Sequence, residues 1–570
     1  MITVRSCAVL DVETAKVTEE LLKKIKATPT EMKLLEDVLV YENSQPISSN
    51  KHGLISKIEP EHHFRAIREL KETPDDIEEF VIRTLANAES IQNLKNWIFH
   101  EKQKVNNRIK FEWSTSEPST FGSWGYLEKA QAGWERKMLR SLNSMCQELG
   151  IRLAGTRDAK QSEAILVNWT ELSLVFNKPS AIKPVFGPKD LLEVLISIKH
   201  PNIRNHPRTT VDESTGRLLP YWGLFNLPMR VKNMSELCAF YAPLGLDRQQ
   251  CGVDELFSAS FETKRVQEAE SILHGHSSAA AQTYLQRGCP LGYRAQIWSL
   301  YLNAQKNDED VQYYSQLKLR VAEDECMTDL LVCKEVQLTA SNDDMHFVFC
   351  DYTYQVLLPF TRDSTVLEHF QSSLASPPRA IGKKINDSQV FPPSGVIPFH
   401  GFSMYVLPLC YLYDDPVTLY VIFRQLYIRY FYKLHTISND PSVSSVPFLS
   451  VDPQSILGLC LLFERLLQWR EPEIFFHLRS SGIQPIRFVF KWIMRAFSGF
   501  LAPDQVLLLW DRILGFDSLE ILAVLAVAIF SYRKENLLLV NTTAGVEAIL
   551  ADLTPLRIVS LLQLVLFTRS

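Results

Sequence analysis

Five apolar segments between residues 453 and 530 follow one another with only short polar connections, and this arrangement most restricts the possible folds. They are Pro453–Trp469, Pro472–Arg479, Pro485–Phe497, Pro503–Leu514 and Leu519–Phe530. Each begins near a proline, serine or aspartate, residues that favour the start of a helix, and several end near a glycine. Helices joined by about two to six residues pack as antiparallel neighbours. The pattern therefore predicts an all-α, multi-helix fold.

Helical spacing of apolar residues extends toward the N-terminus. Further helices are predicted for 127–149, 188–200, 264–286 and 417–434. Gly150 follows the first of these at the position where a left-handed residue ends a helix. Asp415 and Pro416 stand before the last one as N-cap and first helical residue. Two stretches rich in Pro and Ser, 372–395 and 437–455, are predicted to be loops.

The length of 570 residues exceeds what one core usually holds and predicts two to four domains. We divide the chain into a mainly helical N-terminal region of unknown role, 1–265, and a helical domain, 266–570. With 46% apolar and 22% charged residues, the composition is that of an ordinary globular protein. A net charge of −5 gives no electrostatic reason to expect nucleic acid or an anionic membrane as the main partner.

Ten cysteines are scattered without a CxxC pair, which does not fit a disulfide framework. The first residues lack the apolar stretch of a signal peptide. The longest apolar runs, near 402–413 and 519–530, are shorter than the ~20 residues that span a membrane. We therefore expect a cytoplasmic protein with reduced thiols and no integral membrane segment.

A motif of the form R-G-x-P-x-x-x-R-x-x-x-W occupies residues 287–298. Gly288 can end the preceding helix in a left-handed conformation, and Pro290 can start the next one. Trp298, roughly two turns later, would face the core. Arg287 and Arg294 could tie the turn to acidic groups or helix carbonyls. Taken alone, the motif fits equally well a capped helix start with a buried tryptophan.

A second motif lies in the segment 490–514, which contains the dipeptide Trp510-Asp511. The two motifs, in this order and at this separation, resemble those of the TBC domain family, the helical domains that act on Rab-type GTPases. The resemblance covers roughly 265–570, more than half of the chain. It implies an all-α TBC domain there and a Rab-family GTPase as partner.

The resemblance also implies a chemistry. TBC domains supply two side chains to the GTPase, an arginine that neutralises charge on the transferred phosphoryl group and a glutamine that orients the attacking water. A finger arginine is worth roughly 10³–10⁵ in rate, or about 4–7 kcal/mol of barrier. GTP and Mg²⁺ would belong to the GTPase, so no cofactor or metal is expected in this chain.

The arginine-bearing motif, I-x-x-D-V-x-R-T in the family, aligns with residues 332–339. Glu335 takes the acidic position and Thr339 matches. The arginine position holds Leu338, which can neither carry charge nor donate a hydrogen bond. The expected arginine finger is therefore absent in this alignment.

The glutamine-bearing motif, G-Y-x-Q-G-M in the family, aligns with residues around 396–403. Gly401 matches, and His400 stands where the glutamine is expected. A neutral imidazole donates one hydrogen bond and accepts one, so His400 could orient water only weakly. A shifted alignment is the alternative. Arg320 and Arg362 flank the first motif, but neither lies in the family pattern.

Signatures of other chemistries are missing or weak. The chain has no G-x-x-x-x-G-K-[ST], G-x-S-x-G or H-E-x-x-H motif. The histidines at 62–63 and at 274 and 276 lack a third ligand and fit surface positions better than a metal site. Three functions stay open: a GTPase activator, a catalytically inactive Rab-binding or scaffolding module in membrane trafficking, and a helical scaffold without GTPase contact.

Overall fold

A computed structural model gives the structure of the chain. It describes residues 92, 95–100, 103, 125–176, 182–198, 209–212, 217–220, 222–225, 230–253, 259–340, 344–369, 391–437 and 452–568. These residues fall into two compact units, one within 1–103 and 275–277, the other within 104–274 and 278–570. In the first unit, 92, 95–100 and 103 are helical. No helix in the described parts of the chain combines the length and the apolar character needed to cross a membrane.

The described residues of the larger unit are mainly helical, as the sequence predicts. Its first half contains α1 (Gly125–Leu149), α2 (Ala159–Val167), α3 (Leu172–Val175), α4 (Pro188–Ser197), α5 (Met234–Phe240), α6 (Ala259–His274), α7 (Ser278–Leu285), α8 (Leu291–Leu302), α9 (Asp308–Glu323) and α10 (Met327–Leu338). Its second half contains α11 (Cys350–Arg362), α12 (Ser364–His369), α13 (Pro416–Arg429), α14 (Ile456–Arg470), α15 (Pro472–Ser480), α16 (Ile486–Met494), α17 (Pro503–Phe516), α18 (Glu520–Tyr532), α19 (Lys534–Leu538), α20 (Thr543–Ile549) and α21 (Ile558–Phe567). The all-α prediction is confirmed.

Several helix starts occur where the sequence places them, because a side chain satisfies a free backbone N–H. The Asp415 carboxylate accepts a hydrogen bond from the Thr418 N–H at 2.9 Å, and Pro416 opens α13. Ser455 caps α14 in the same way through the Gly458 N–H. These contacts satisfy donors that the first turn of a helix leaves unpaired.

Two predicted helices differ from the structure. The stretch 264–286 forms two helices, α6 and α7, because residues 275–277 form a turn in which His276 has a φ of 45°. A non-glycine residue in the left-handed region cannot continue a helix. The stretch 417–434 is α-helical only to Arg429, and Phe431–Leu434 continues as a 3₁₀ helix.

The helix α18 lies at the centre of the unit. Its residues 520–530 are all buried, and it packs against α14, α16 and α21. This burial on all sides explains the nearly continuous apolar sequence of α18, because a helix that is apolar all round must be surrounded by other helices.

In the described parts of the chain, four short strands accompany the helices, namely β1 (Ala154–Thr156), β2 (Thr209–Asp212), β3 (Arg217–Pro220) and β4 (Asp324–Cys326). The strands β1 and β4 pair antiparallel, with Ala154 opposite Cys326. Beside these two strands lies one apolar cluster with residues from both sides of the predicted division at 265. Its buried members are Leu142, Cys146, Leu153, Ile182, Met327 and Leu331. These contacts position α10, which follows β4 directly.

The division at 265 and 266 stays a prediction. Contacts such as the β1–β4 pairing cross it, and within 125–253 the described elements are mainly helical. Residues 1–91 and most of the predicted loops, 372–390 and 438–451, lie outside the described residues.

Candidate functional site

The two sequence motifs meet in the core of the larger unit at Asp511. Its carboxylate is fully buried and accepts hydrogen bonds from Arg294 Nε and Nη2 at 3.0–3.2 Å and from Trp298 Nε1 at 2.8 Å. The backbone N–H of Cys289 donates to it at 3.0 Å. The indole of Trp298 also stacks on Trp510, with ring centroids 6.4 Å apart. The two motifs therefore connect α8 to α17 through one set of buried hydrogen bonds.

The turn before α8 is equally well fixed. Gly288 has a φ of 84°, and a Cβ built on it would lie 2.5 Å from the Arg512 guanidinium. Pro290 is the N-cap of α8, one residue before the helix. Arg287 donates two hydrogen bonds to the Gln249 carbonyl, at 2.8 and 3.0 Å. Arg287, Gly288 and Pro290 thus make contacts within the framework itself.

Leu338, the residue at the predicted arginine position, ends α10 and is 37% exposed. Thr339, which follows it, is buried and donates a hydrogen bond to the Glu335 carbonyl at 2.6 Å. The helix thus ends with one side chain held inside and its neighbour directed toward the surface. A residue at 338 is accessible from outside, and leucine offers only apolar surface there.

Glu335 joins the two candidate motifs. It lies one helical turn before Leu338 and is only 2% exposed. Its Oε1 accepts hydrogen bonds from the Gly401 N–H at 2.8 Å, the Ser403 N–H at 3.3 Å and the Ser403 hydroxyl at 3.0 Å. The acidic residue of the first motif therefore holds the backbone of the second, and Leu338 and His400 come to neighbouring positions.

The side chain of His400 is 38% exposed, on the segment that Glu335 holds. Its Nδ1 lies 3.5 Å from Glu335 Oε2, and its backbone N–H donates to the Phe186 carbonyl at 3.0 Å. Gly401, with a φ of 104°, turns the chain away immediately afterwards. This left-handed turn needs glycine, because a side chain would be strained there and would meet Arg495.

Arg495 completes the surroundings of the site and has no signal in the sequence. It follows α16 and is half-buried, with Nη2 3.4 Å from the His400 carbonyl. Burial lowers the pKa of its guanidinium below the usual range, and the nearby Glu335 carboxylate opposes this shift. Because nothing in the local pattern around 495 points to residues 335 or 400, only the folded chain reveals it.

The arginines that flank the first motif are not alternatives at this site. Arg362 is buried, and its guanidinium pairs with Asp329, which also receives Arg157 Nη2 at 2.5 Å. Arg320 is exposed on α9, in the turn before β4. Gln337, next to the arginine position, is only partly buried. In the structure, Leu338 and His400 remain the pair that Glu335 brings together.

Comparison with known proteins agrees with this framework. The family model of the Rab-GTPase-TBC domain matches residues 399–538, a range that includes His400, Trp510 and Asp511. The human protein TBC1 domain family member 19 is 48% identical over 449 residues, which cover 78% of this chain and 82% of that protein. This identity extends over most of both sequences, and the contacts of Asp511 hold the helical framework together. The chain therefore belongs to the TBC domain family.

Proposed function

We propose that this chain regulates a Rab-type GTPase and that it binds this partner through the surface carrying Leu338 and His400. The observation that carries the proposal is the link made by Glu335. The Glu335 carboxylate holds the segment that carries His400, and Glu335 lies one helical turn before Leu338. The two positions that align with the catalytic side chains of the family, 338 and 400, therefore lie together and are accessible.

The side chains at these positions favour a regulator with little or no catalytic power. An arginine finger contributes a permanent positive charge in a planar, bidentate group. Leu338 supplies none of this, and the loss of such a finger corresponds to about 4–7 kcal/mol of barrier. The GTPase's own glutamine could orient the water, but the positive charge of the arginine finger would still be absent. GTP and Mg²⁺ would be carried by the GTPase.

Two forms of this function differ in what happens after binding. In the first, the chain is a GTPase-activating protein of reduced strength. In the second, it is a catalytically inactive TBC domain that binds or scaffolds a Rab on endomembranes without changing its hydrolysis rate. The substitutions at 338 and 400 favour the second form, and family membership supports binding in both.

Single-turnover GTP hydrolysis across a Rab panel separates the two forms. We expect little acceleration at stoichiometric concentrations of this chain. Acceleration of any Rab by roughly 10³ or more, the scale of a working arginine finger, would contradict the inactive form. Binding is measured in parallel with GTP-loaded and GDP-loaded Rabs. If no member of the panel binds in either state, the proposal of a Rab regulator is wrong.

A further inference from the structure

Among the described residues, no group donates a hydrogen bond to the second carboxylate oxygen of Glu335, although this residue is almost completely buried. Oε1 already accepts from Gly401 and Ser403, whereas Oε2 accepts from no group in the described parts of the chain. A buried charged oxygen without a donor is costly. A candidate donor is His400 Nδ1, which lies 3.5 Å away, is itself buried and has no hydrogen-bond partner among the described residues.

We propose that Glu335 is a positioning residue for His400, holding the imidazole with a proton on Nδ1 and directing Nε2 outward as a hydrogen-bond acceptor. The opposite tautomer would place the Nδ1 lone pair against the carboxylate Oε2, and two acceptors at this distance repel each other. A hydrogen bond from one ring nitrogen fixes which form the other takes. The exposed edge of the ring then carries Nε2.

Two further groups approach His400 outside its ring. Arg495 Nη2 donates to the His400 carbonyl from the end of α16, and Gly187, at the start of α4, lies beside the His400 Cβ. The Asp190 carboxylate accepts from the Gly187 N–H at 2.8 Å and is therefore occupied there. Glu335 presents its Oε2 to the imidazole, 3.5 Å from Nδ1.

This arrangement gives His400 a definite chemical capacity. An acceptor nitrogen of fixed direction can take one hydrogen bond from a water molecule or a hydroxyl group. On the proposed function, on which this part of the inference rests, the donor is a water at the nucleotide of the bound GTPase. His400 would supply one of the hydrogen bonds that the family's glutamine offers, and Glu335 would set its direction.

Histidine NMR tests the pairing without any GTPase. The ¹⁵N spectrum of the histidine-labelled chain at about pH 8.5, where an ordinary imidazole is neutral, reports the tautomer of each ring. The His400 signals are assigned by their loss in His400→Asn. We expect the form protonated at Nδ1 to exceed the other by at least about tenfold, as a hydrogen bond to a charged acceptor implies. A predominantly Nε2-protonated His400 in the unmodified chain overturns the proposal.

Glu335→Gln sharpens the test. If the amide oxygen keeps the bonds to 401 and 403, the amide nitrogen takes the place of Oε2 and donates to Nδ1. The tautomer of His400 should then invert, which a purely structural role of Glu335 would not cause. Glu323→Gln, an exposed glutamate at the end of α9, is the matched control and should leave the His400 signals unchanged. An unchanged tautomer in a folded Glu335→Gln protein would contradict the pairing.

Addition of a binding Rab, loaded with a non-hydrolysable GTP analogue, then tests the direction of Nε2. We expect the His400 Nε2 resonance to shift while that of the buried His435 stays in place. A complex without this shift refutes the outward-facing role. If no Rab binds but His400 is protonated at Nδ1, the pairing stands and the proposed function fails, so the two failures can be told apart.

Discussion

Arg294 and Asp511 form a buried ion pair across 217 residues of sequence, with Nη2 and Oδ2 3.0 Å apart. The same carboxylate receives the Trp298 indole N–H and the Cys289 backbone N–H. A buried charge is tolerated when a partner and enough donors surround it. Arg294 and Trp298 of the first motif thus satisfy the buried carboxylate of Asp511 in the second.

Asp511→Ala should destabilise the fold by about 3–5 kcal/mol, because it leaves Arg294 charged and unpaired in the core. Urea unfolding followed by circular dichroism measures the change. Asp504→Ala is the control on the same helix, where the carboxylate is exposed and its contact with Arg557 is 3.7 Å long. That variant should change stability by less than about 1 kcal/mol. Equal losses in both would contradict a special role of Asp511.

Gly288→Ala should destabilise the chain by about 1–3 kcal/mol, since an alanine would be strained at a φ of 84° and would press on the Arg512 guanidinium. Gly292→Ala provides the comparison, because this glycine is helical and has open space around it. It should be neutral or stabilising by up to about 1 kcal/mol. The difference between their thermal unfolding midpoints tests the conformation assigned to Gly288.

Leu338→Arg combined with His400→Gln should raise GTP hydrolysis on a Rab that binds, by at least about 10²-fold relative to the unmodified chain. The expected gain lies below the 10³–10⁵ of an evolved finger, whose surroundings are adapted to it. Single-turnover assays measure it, with Leu319→Arg as a control that adds an arginine at another exposed leucine. No gain in a complex of proven affinity would mean that residue 338 does not occupy the arginine position.

His435 should make the fold less stable as the pH falls from 7 to 5. Burial lowers the pKa of His435 to about 3, against 6.5 for an ordinary imidazole. Between these values the unfolded chain binds a proton that the folded chain does not, so stability is lost on acidification. At pH 5 the loss attributable to this group is about 2 kcal/mol.

The ring of His435 packs against that of Phe399, the residue before His400, with ring centroids 5.0 Å apart. His435→Phe keeps an aromatic ring there and removes the titration, so its urea midpoint should depend less on pH over this range. His477→Phe, at a partly exposed histidine, is the comparison. If the pH dependence of His435→Phe equals that of the unmodified chain, His435 is not responsible.

The sequence predicted those features that depend on neighbouring residues. The start of α13 follows from Asp415 and Pro416 because an N-cap acts within one turn. The break at 275–277 was not predicted because helical apolar spacing occurs on both sides of it, although Gly275 and the left-handed His276 are residue types that a turn accepts.

Contacts between distant parts of the chain could not be predicted. Trp134 packs on Phe186, and Phe186 stacks on Phe399, so residues of the N-terminal region lie beneath the segment of His400. Nothing in the spacing of these aromatic residues indicates which will meet. The family resemblance predicted Leu338 and His400 as the finger positions, and this assignment stays a prediction. The position of Arg495 beside His400 came only from the folded structure.

The hydrogen bonds from Gly401 and Ser403 to Glu335 have a consequence for recognition. Donors and acceptor all belong to this chain, so the backbone conformation of the segment that carries His400 is formed before any partner binds. A preformed surface loses little conformational entropy on binding. Discrimination between GTPases would then depend on how well each fits a rigid template, and it would be expressed mainly in how fast each complex dissociates.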